Sequence, residues 1–159
     1  MKLSHVDEQG RARMVDVAGK PASERTAVAE GAVRMSREAF EHVAAQSVAK
    51  GDVLAVAEVA GTMGAKRTGE LIPLCHSLAL DLVQVEARLE PELPGVRVTA
   101  LARATGKTGV EMEALTAVAV ACLTVYDMVK SIDRSMSIDE VRLVSKSGGT
   151  RGDWRRPEP

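Results

Sequence analysis

Residues 78–103 read LALDLVQVEARLEPELPGVRVTALAR, and this stretch decides the fold. Leu78, Leu80 and Leu82 alternate with Ala79, Asp81 and Val83, and Val85 follows. Val96, Val98, Ala100 and Ala102 alternate with Arg97, Thr99, Leu101 and Arg103. A period of two places one set on each face of a half-buried strand. Pro91, Pro94 and Gly95 lie between the two runs and supply a turn, so the pair reads as a β-hairpin.

Working outward, the segment from about 110 to 131 is the strongest helix signal. It is long, almost free of Gly and Pro, and apolar nearly all round in its middle, as expected of a helix buried on several sides. A last strand is expected over 138–144. Upstream, Ala27, Ala29, Gly31, Val33 and Met35 alternate with polar positions and predict a strand over 25–35, with a shorter one possible at Met14–Val17. Ser36 is suited to cap a helix running to about Ala49. Gly51 breaks it and Asp52 caps a second, over 53–69, in which Gly61 and Gly64 permit close backbone packing. The order strand, helix, helix, strand, strand, helix, strand predicts an α+β sandwich of the ferredoxin-like kind, an antiparallel sheet with helices packed on one face. A wholly helical bundle is the weaker alternative. The expected organisation is a partly mobile segment over 1–24, one α+β domain over 25–147, and a Gly-, Pro- and charge-rich flexible tail over 148–159.

Composition narrows the function. The chain has 159 residues, enough for one domain, with 45% apolar residues but only 2% aromatic. The net charge of −1 supplies no field to draw it onto nucleic acid or an anionic membrane, and so few aromatics cannot stack single-stranded bases. No signal peptide opens the chain and no uninterrupted apolar run reaches the roughly 20 residues that span a bilayer, so the expected location is the cytoplasm. Cys75 and Cys122 form no CxxC pair and are expected to be reduced thiols.

Three stretches carry residues able to do chemistry. Ala65–His76 places Lys66 and Arg67 at a helix end and follows them with a Pro turn bearing Cys75 and His76. These are either cations complementing a helix dipole and a turn histidine, or a cationic wall for phosphate with a proton carrier. Thr105–Glu113 holds a Gly106-Lys107-Thr108 triplet that suggests a phosphate-binding P-loop, but Leu101 stands where that motif needs its first Gly. What remains is a Gly-flanked turn before a helix whose Glu111 and Glu113 either complement its dipole or grip a polar heterocycle. In Val125–Lys130, Asp127 and Lys130 share a helix face, as an ordinary ion pair or as an acid/base or phosphate-contact unit. In a continuous helix Glu113 and Asp127 are about 21 Å apart along the axis but only about 40° apart in direction. A single site using both takes them from two subunits, unless the substrate is extended or the helix broken.

Together with Lys50-Gly51-Asp52-Val53, Lys66-Arg67, Leu71–His76, Thr105–Thr116, Tyr126-Asp127-Met128 and Lys146–Gly149, the chain resembles the cyclic pyranopterin monophosphate synthase family, molybdenum cofactor biosynthesis protein C, from about Leu3 to Asp153. Met14–Val17 also fits. The resemblance implies a ferredoxin-like subunit in a homo-hexamer, a trimer of dimers with sites at subunit interfaces. It implies conversion of (8S)-3',8-cyclo-7,8-dihydroguanosine 5'-triphosphate to cyclic pyranopterin monophosphate, with pyrophosphate leaving. By position, it makes Asp127, with Lys130 and Lys50, the catalytic group. It gives Leu74, Cys75, His76, Met112 and Glu113 to the substrate, along with Lys66 and Arg25 as functional cations. No cofactor is expected, because the step is a rearrangement with elimination; a divalent ion such as Mg accompanying the triphosphate is compatible with it, though no metal-ligand cluster is legible. The alternative is a non-catalytic nucleotide- or phosphate-binding oligomeric module, which would leave Glu113 and Asp127 unexplained.

Overall fold

The computed structural model describes residues 6–157. Its strands are β1 (Ser23–Arg34), β2 (Leu82–Glu90), β3 (Gly95–Gly106), β4 (Ser137–Ser147) and β5 (Trp154–Arg155). Its helices are α1 (Arg37–Ala44), α2 (Val53–Lys66), α3 (Thr68–Leu71) and α4 (Glu111–Val129). All pairings are antiparallel, in the order β2-β3-β1-β4-β5. The hairpin β2–β3 is thus flanked in sequence by two crossovers: β1 reaches β2 through α1–α3, and β3 reaches β4 through α4. Each crossover skips one strand, which is the βαββαβ wiring of a ferredoxin-like α+β sandwich.

The alternation read from the sequence fixes which face is covered. Val96, Val98, Ala100, Ala102 and Ala104 of β3 and Ala27, Ala29 and Val33 of β1 are fully or almost fully buried. They belong to one core cluster with Ala114, Ala117, Val118, Ala121, Cys122 and Val125 of α4. The opposite face is laced by ion pairs: Arg97 joins Glu90 and Glu140, and Arg142 joins Glu30. A core this rich in Ala and Val has few atoms per residue with which to fill space, so its layers must approach closely. Gly61 and Gly64 permit it on α2. A Cβ on Gly61 would meet the Ala117 carbonyl oxygen at 2.9 Å, and one on Gly64 would meet Val120 Cγ2 at 2.8 Å. Because β1 and β3 are antiparallel and each helix returns along its own strand, α2 and α4 run antiparallel. By length and composition α4 could cross a bilayer, but here it is the core helix, packed on the sheet and on α2.

Several element bounds differ from expectation. The strand expected from Leu78 starts at Leu82; Leu78 and Leu80 pack on the core from irregular chain, so their alternation records burial without a ladder. The helix expected over 53–69 breaks at Arg67, where Thr68 Oγ1 donates to the carbonyls of Gly64 (3.3 Å) and Ala65 (2.9 Å) and ends α2 before the single turn of α3. The helix expected through Ala49 stops at Ala44, with Gln46 in the left-handed region (φ 52°). Met14–Val17 forms no strand. The strand β5 pairs Trp154 with Lys146 and Arg155 with Ser145, inside the stretch expected to be a loose tail. Residues 1–5 of the expected N-terminal segment and 158–159 of that tail lie outside the described residues.

Candidate active site

Long helix α4 carries candidate chemistry at both ends. Its N-terminal turn has Val110 at the cap position and no capping side-chain hydrogen bond, and Val110, Glu111 and Met112 line a cavity of about 430 Å³. The cavity is walled by Leu74, Cys75 and His76 from the turn after α3, by Thr108–Met112, by Arg25 and Thr26 of β1, by the end of β4 from Lys146, and by Val15, Val17 and Lys20. Antiparallel pairing brings this about: Arg25 is opposite Ala104 near the end of β3, and Ala27 is opposite Lys146 near the end of β4, so three strand ends meet where α4 begins.

Glu113 lies beneath this cavity. It is 2% exposed, and its Oε2 has no hydrogen-bond partner among the described residues. Burial, reinforced by Glu111, holds its pKa above the ordinary carboxylate value. Cys75 Sγ lies 3.9 Å from Glu113 Oε1, and burial together with that carboxylate pushes the thiol pKa up. Cys75 is therefore a neutral thiol suited to hydrogen bonding, and poorly suited to nucleophilic attack as a thiolate. Cys122, deep in the core, is pushed up to about 12 and is inert. Glu111 Oε1 accepts from Lys146 Nζ at 2.9 Å, which fixes one cation at the cavity wall.

At the other end of α4, Asp127 Oδ1 accepts from Lys130 Nζ at 2.6 Å and Oδ2 from Lys50 Nζ at 2.6 Å. The Lys50 ammonium also donates to the Asp127 carbonyl at 3.0 Å. The hydrogen bonds from Lys130 and Lys50 hold the Asp127 carboxyl at about 2. Such a carboxylate takes a proton poorly; it is well suited to gather two ammonium groups at one exposed point. Lys50 reaches it from the turn preceding α2, which the antiparallel packing of α2 places beside the C-terminus of α4.

The expected residues thus fall into two groups. Arg25, Leu74, Cys75, His76 and Met112 line the cavity and Glu113 sits under it; Lys50, Asp127 and Lys130 form a separate cluster about 21 Å along the helix. Lys66 joins neither: it is exposed at the last residue of α2 and does not line the cavity. Among the described residues no group of three or more His, Cys, Asp or Glu is arranged to hold a metal ion. Lys20, Lys107, Lys146 and Arg151 line the cavity, and sequence reasoning gave them no role. Lys107 and Lys146 stood inside recognised motifs, whereas Lys20 and Arg151 carry no local signal and enter through tertiary contacts alone.

Comparison with known proteins decides the family. The MoaC family profile matches residues 14–149. The chain belongs to the MoaC family. It is 56% identical over 158 residues to the cyclic pyranopterin monophosphate synthases of Brucella ovis and Brucella abortus, covering 99% of this chain and 96% of each relative. The protein of the same name from Brucella canis is 55% identical over the same span. Every motif quoted from Met14 to Gly149 lies within the matched region.

Proposed function

We propose that this MoaC-family chain is a cyclic pyranopterin monophosphate synthase of molybdenum cofactor biosynthesis. It would convert (8S)-3',8-cyclo-7,8-dihydroguanosine 5'-triphosphate to cyclic pyranopterin monophosphate and pyrophosphate. One observation carries the reading: a cavity sized for a nucleotide-like molecule sets a neutral thiol, an imidazole and a buried carboxylate beside five Lys and Arg side chains and the uncapped start of α4. The thiol, imidazole and carboxylate offer hydrogen bonds to a polar heterocycle, and the cations offer charge to a triphosphate. A non-catalytic binding module would need the cavity but not the Lys50–Asp127–Lys130 cluster.

In this reaction a sugar-derived hydroxyl attacks the innermost phosphorus. Its proton leaves, the bond to the bridging oxygen breaks, and pyrophosphate departs with the electron pair. Charge grows on the leaving oxygens, where ammonium groups stabilise it most. Asp127 holds Lys50 and Lys130 together as such a pair, and either can pass a proton once phosphate draws it from the carboxylate. His76, at the cavity wall, is placed to take the hydroxyl proton. No redox cofactor is needed; Mg would act by accompanying the triphosphate. The substrate descends from a cytosolic nucleotide, which agrees with a cytoplasmic site of action.

The two clusters serve one substrate if a second copy brings its Asp127 end to this copy's Glu113 end. A two-fold axis across α4 does this, because it sets two α4 helices antiparallel. The outer helical face supports such a contact, since Val59, Met63 and Leu123 are 62%, 51% and 58% exposed. A homo-hexamer built as a trimer of such dimers is the assembly proposed. The direct test is incubation of the purified protein with the cyclised dihydro-GTP. One pyrophosphate per pterin formed is expected; substrate returned unchanged, with no pyrophosphate, would overturn the assignment.

A further inference from the structure

We propose that Asp133 is the positioning residue for Lys130: from the turn after α4 it pins that lysine's backbone to the N-cap of α1, so that the ammonium stays on Asp127. The role rests on the proposed function for the use made of Lys130, whereas the pinning itself is read from geometry. Among the described residues Asp133 and Glu113 are the two buried carboxylates, and the reaction derived above makes no use of Asp133. It is 8% exposed. Its Oδ2 accepts from the Ser36 backbone N–H at 2.8 Å. Its Oδ1 accepts from the Ser135 backbone N–H at 2.8 Å and from the Ser135 hydroxyl at 2.6 Å. These bonds, Ser135's first and Ser36's next, hold its carboxyl below the ordinary carboxylate range, so it stays a charged acceptor at neutral pH. A charged acceptor with three donors grips harder than a neutral one.

One end of this tie is a fixed point. Met35, just before Ser36, is buried and donates its N–H to the Pro94 carbonyl in the β2–β3 turn at 3.0 Å. The Ser36 hydroxyl accepts from the Ala39 N–H at 3.2 Å and caps α1. The other end is the turn that carries Lys130. The Lys130 N–H donates to the Tyr126 carbonyl at 2.9 Å and closes α4. The N–H groups of Ile132 and Asp133 then fold back onto the Val129 carbonyl, at 2.8 and 3.3 Å. Tyr126 Oη donates to the Arg134 carbonyl at 3.0 Å and holds the same turn from its other side. Between these ties the Lys130 side chain is 51% exposed, and among the described residues Asp127 is its one ion-pair partner. A long, exposed side chain keeps a single 2.6 Å contact only where its backbone is fixed. Lys50 arrives from a different segment and donates to the Asp127 carbonyl as well as to the carboxylate. Loosening the turn therefore frees Lys130 and leaves Lys50 in place.

Asp133→Asn keeps the volume but offers one acceptor oxygen in place of two, so either Ser36 or Ser135 loses its bond. Two measurements on the full chain read the result. Amide hydrogen exchange is expected to quicken over 130–135 and to stay unchanged across β1 and β3. Turnover of the cyclised dihydro-GTP is expected to fall about ten- to a hundredfold in kcat with KM held within about twofold, the scale for a catalytic group set slightly out of place. The loss must pass through Lys130. In a Lys130→Met background, read in single turnovers at high enzyme concentration, adding Asp133→Asn should cost nothing further. Tyr126→Phe removes only a hydroxyl and is expected to move both readouts the same way by a smaller factor; it carries the test should Asp133→Asn fail to fold. Asp139→Asn, on an exposed stretch of β4, should move neither. Wild-type kcat in a variant whose turn exchanges faster would overturn the role. Equal losses with and without Lys130 would overturn it too, leaving Asp133 as a support of the fold alone. A wild type that releases no pyrophosphate from the cyclised dihydro-GTP would instead overturn the reaction, and the exchange experiment would still decide whether Asp133 pins the turn.

Discussion

At one end of α4 a carboxylate, Glu113, is 2% exposed, raised in pKa by burial, and has one oxygen without a partner among the described residues. At the other end Asp127 is 55% exposed, held at about 2, and grips two ammonium groups at 2.6 Å. The same residue class does opposite work because the helix runs out of the core. Its first turn lies beneath the loops at the sheet's strand ends, where the Glu113 carboxylate is shielded from bulk water. Its last turn emerges beside the start of α2, where water screens the charges and only a tight cluster keeps them together. The dry end is suited to holding a ligand and the wet end to gathering ammonium groups, with a helix between them that is too long for one side chain to reach across.

The largest expected effect attacks the wet end. Asp127→Asn releases both lysines while leaving size and packing unchanged. Turnover is expected to fall by roughly 10²–10⁴, the usual contribution of a positioned proton-transfer group. Stability should change little, because the pair is exposed and screened by water. Steady-state kinetics beside thermal melts check this, and a variant that turns over normally would remove Asp127 from the reaction.

Mixing tests whether the two ends belong to different copies. Asp127→Asn and Glu113→Gln, each inactive alone, are unfolded together and refolded as mixed oligomers. If each site takes one end from each copy, about a quarter of the sites are wild type at both positions, with activity in proportion. Sites built within one chain would always carry a lesion, and the mixture would stay dead.

The helix pairing that separates the ends is itself fragile. Gly64→Ala pushes a methyl group into Val120, and this core has little slack; a loss of about 1–3 kcal/mol in unfolding free energy is expected. An exposed control, Gly19→Ala, meets nothing within 4 Å. Equal denaturation midpoints for the two would mean that the α2–α4 contact is loose.

How much of this was legible follows the range of the interactions involved. The β2–β3 hairpin and α4 were readable because alternation and all-round apolarity are local records of burial, and the ferredoxin-like wiring followed from their order. The strand start was misplaced because Leu78 and Leu80 are partly buried against the core without pairing, and periodicity cannot separate burial from a ladder. Lys50, Asp127 and Lys130 were named as candidates, but that Lys50 reaches Asp127 across 77 positions is a fact of α2 running against α4. Lys20 and Arg151 were invisible for the same reason: nothing around them in sequence says that either reaches the cavity.

The smallest effect, and the sharpest for the dry end, is the proton on Glu113. The folded protein holds that proton more tightly than the unfolded chain, whose carboxyl titrates near the ordinary value of 4.5. Wild-type stability must therefore fall as pH rises from about 4.5 to the raised folded value, and stay level above it. Glu113→Gln keeps the shape and removes the ionisation, so its stability should be flat across that window. Above the window the variant is expected to be more stable than wild type by on the order of 1 kcal/mol, since a buried lone charge costs more than a buried amide. Urea midpoints from pH 4 to 8 read the difference directly. Parallel curves for the two proteins would mean that Glu113 is solvated or paired in solution, and the dry end would lose the feature that distinguishes it from Asp127. A variant gaining stability while losing turnover would place the cost of burying that carboxylate on the side of function, because the fold is better off without it.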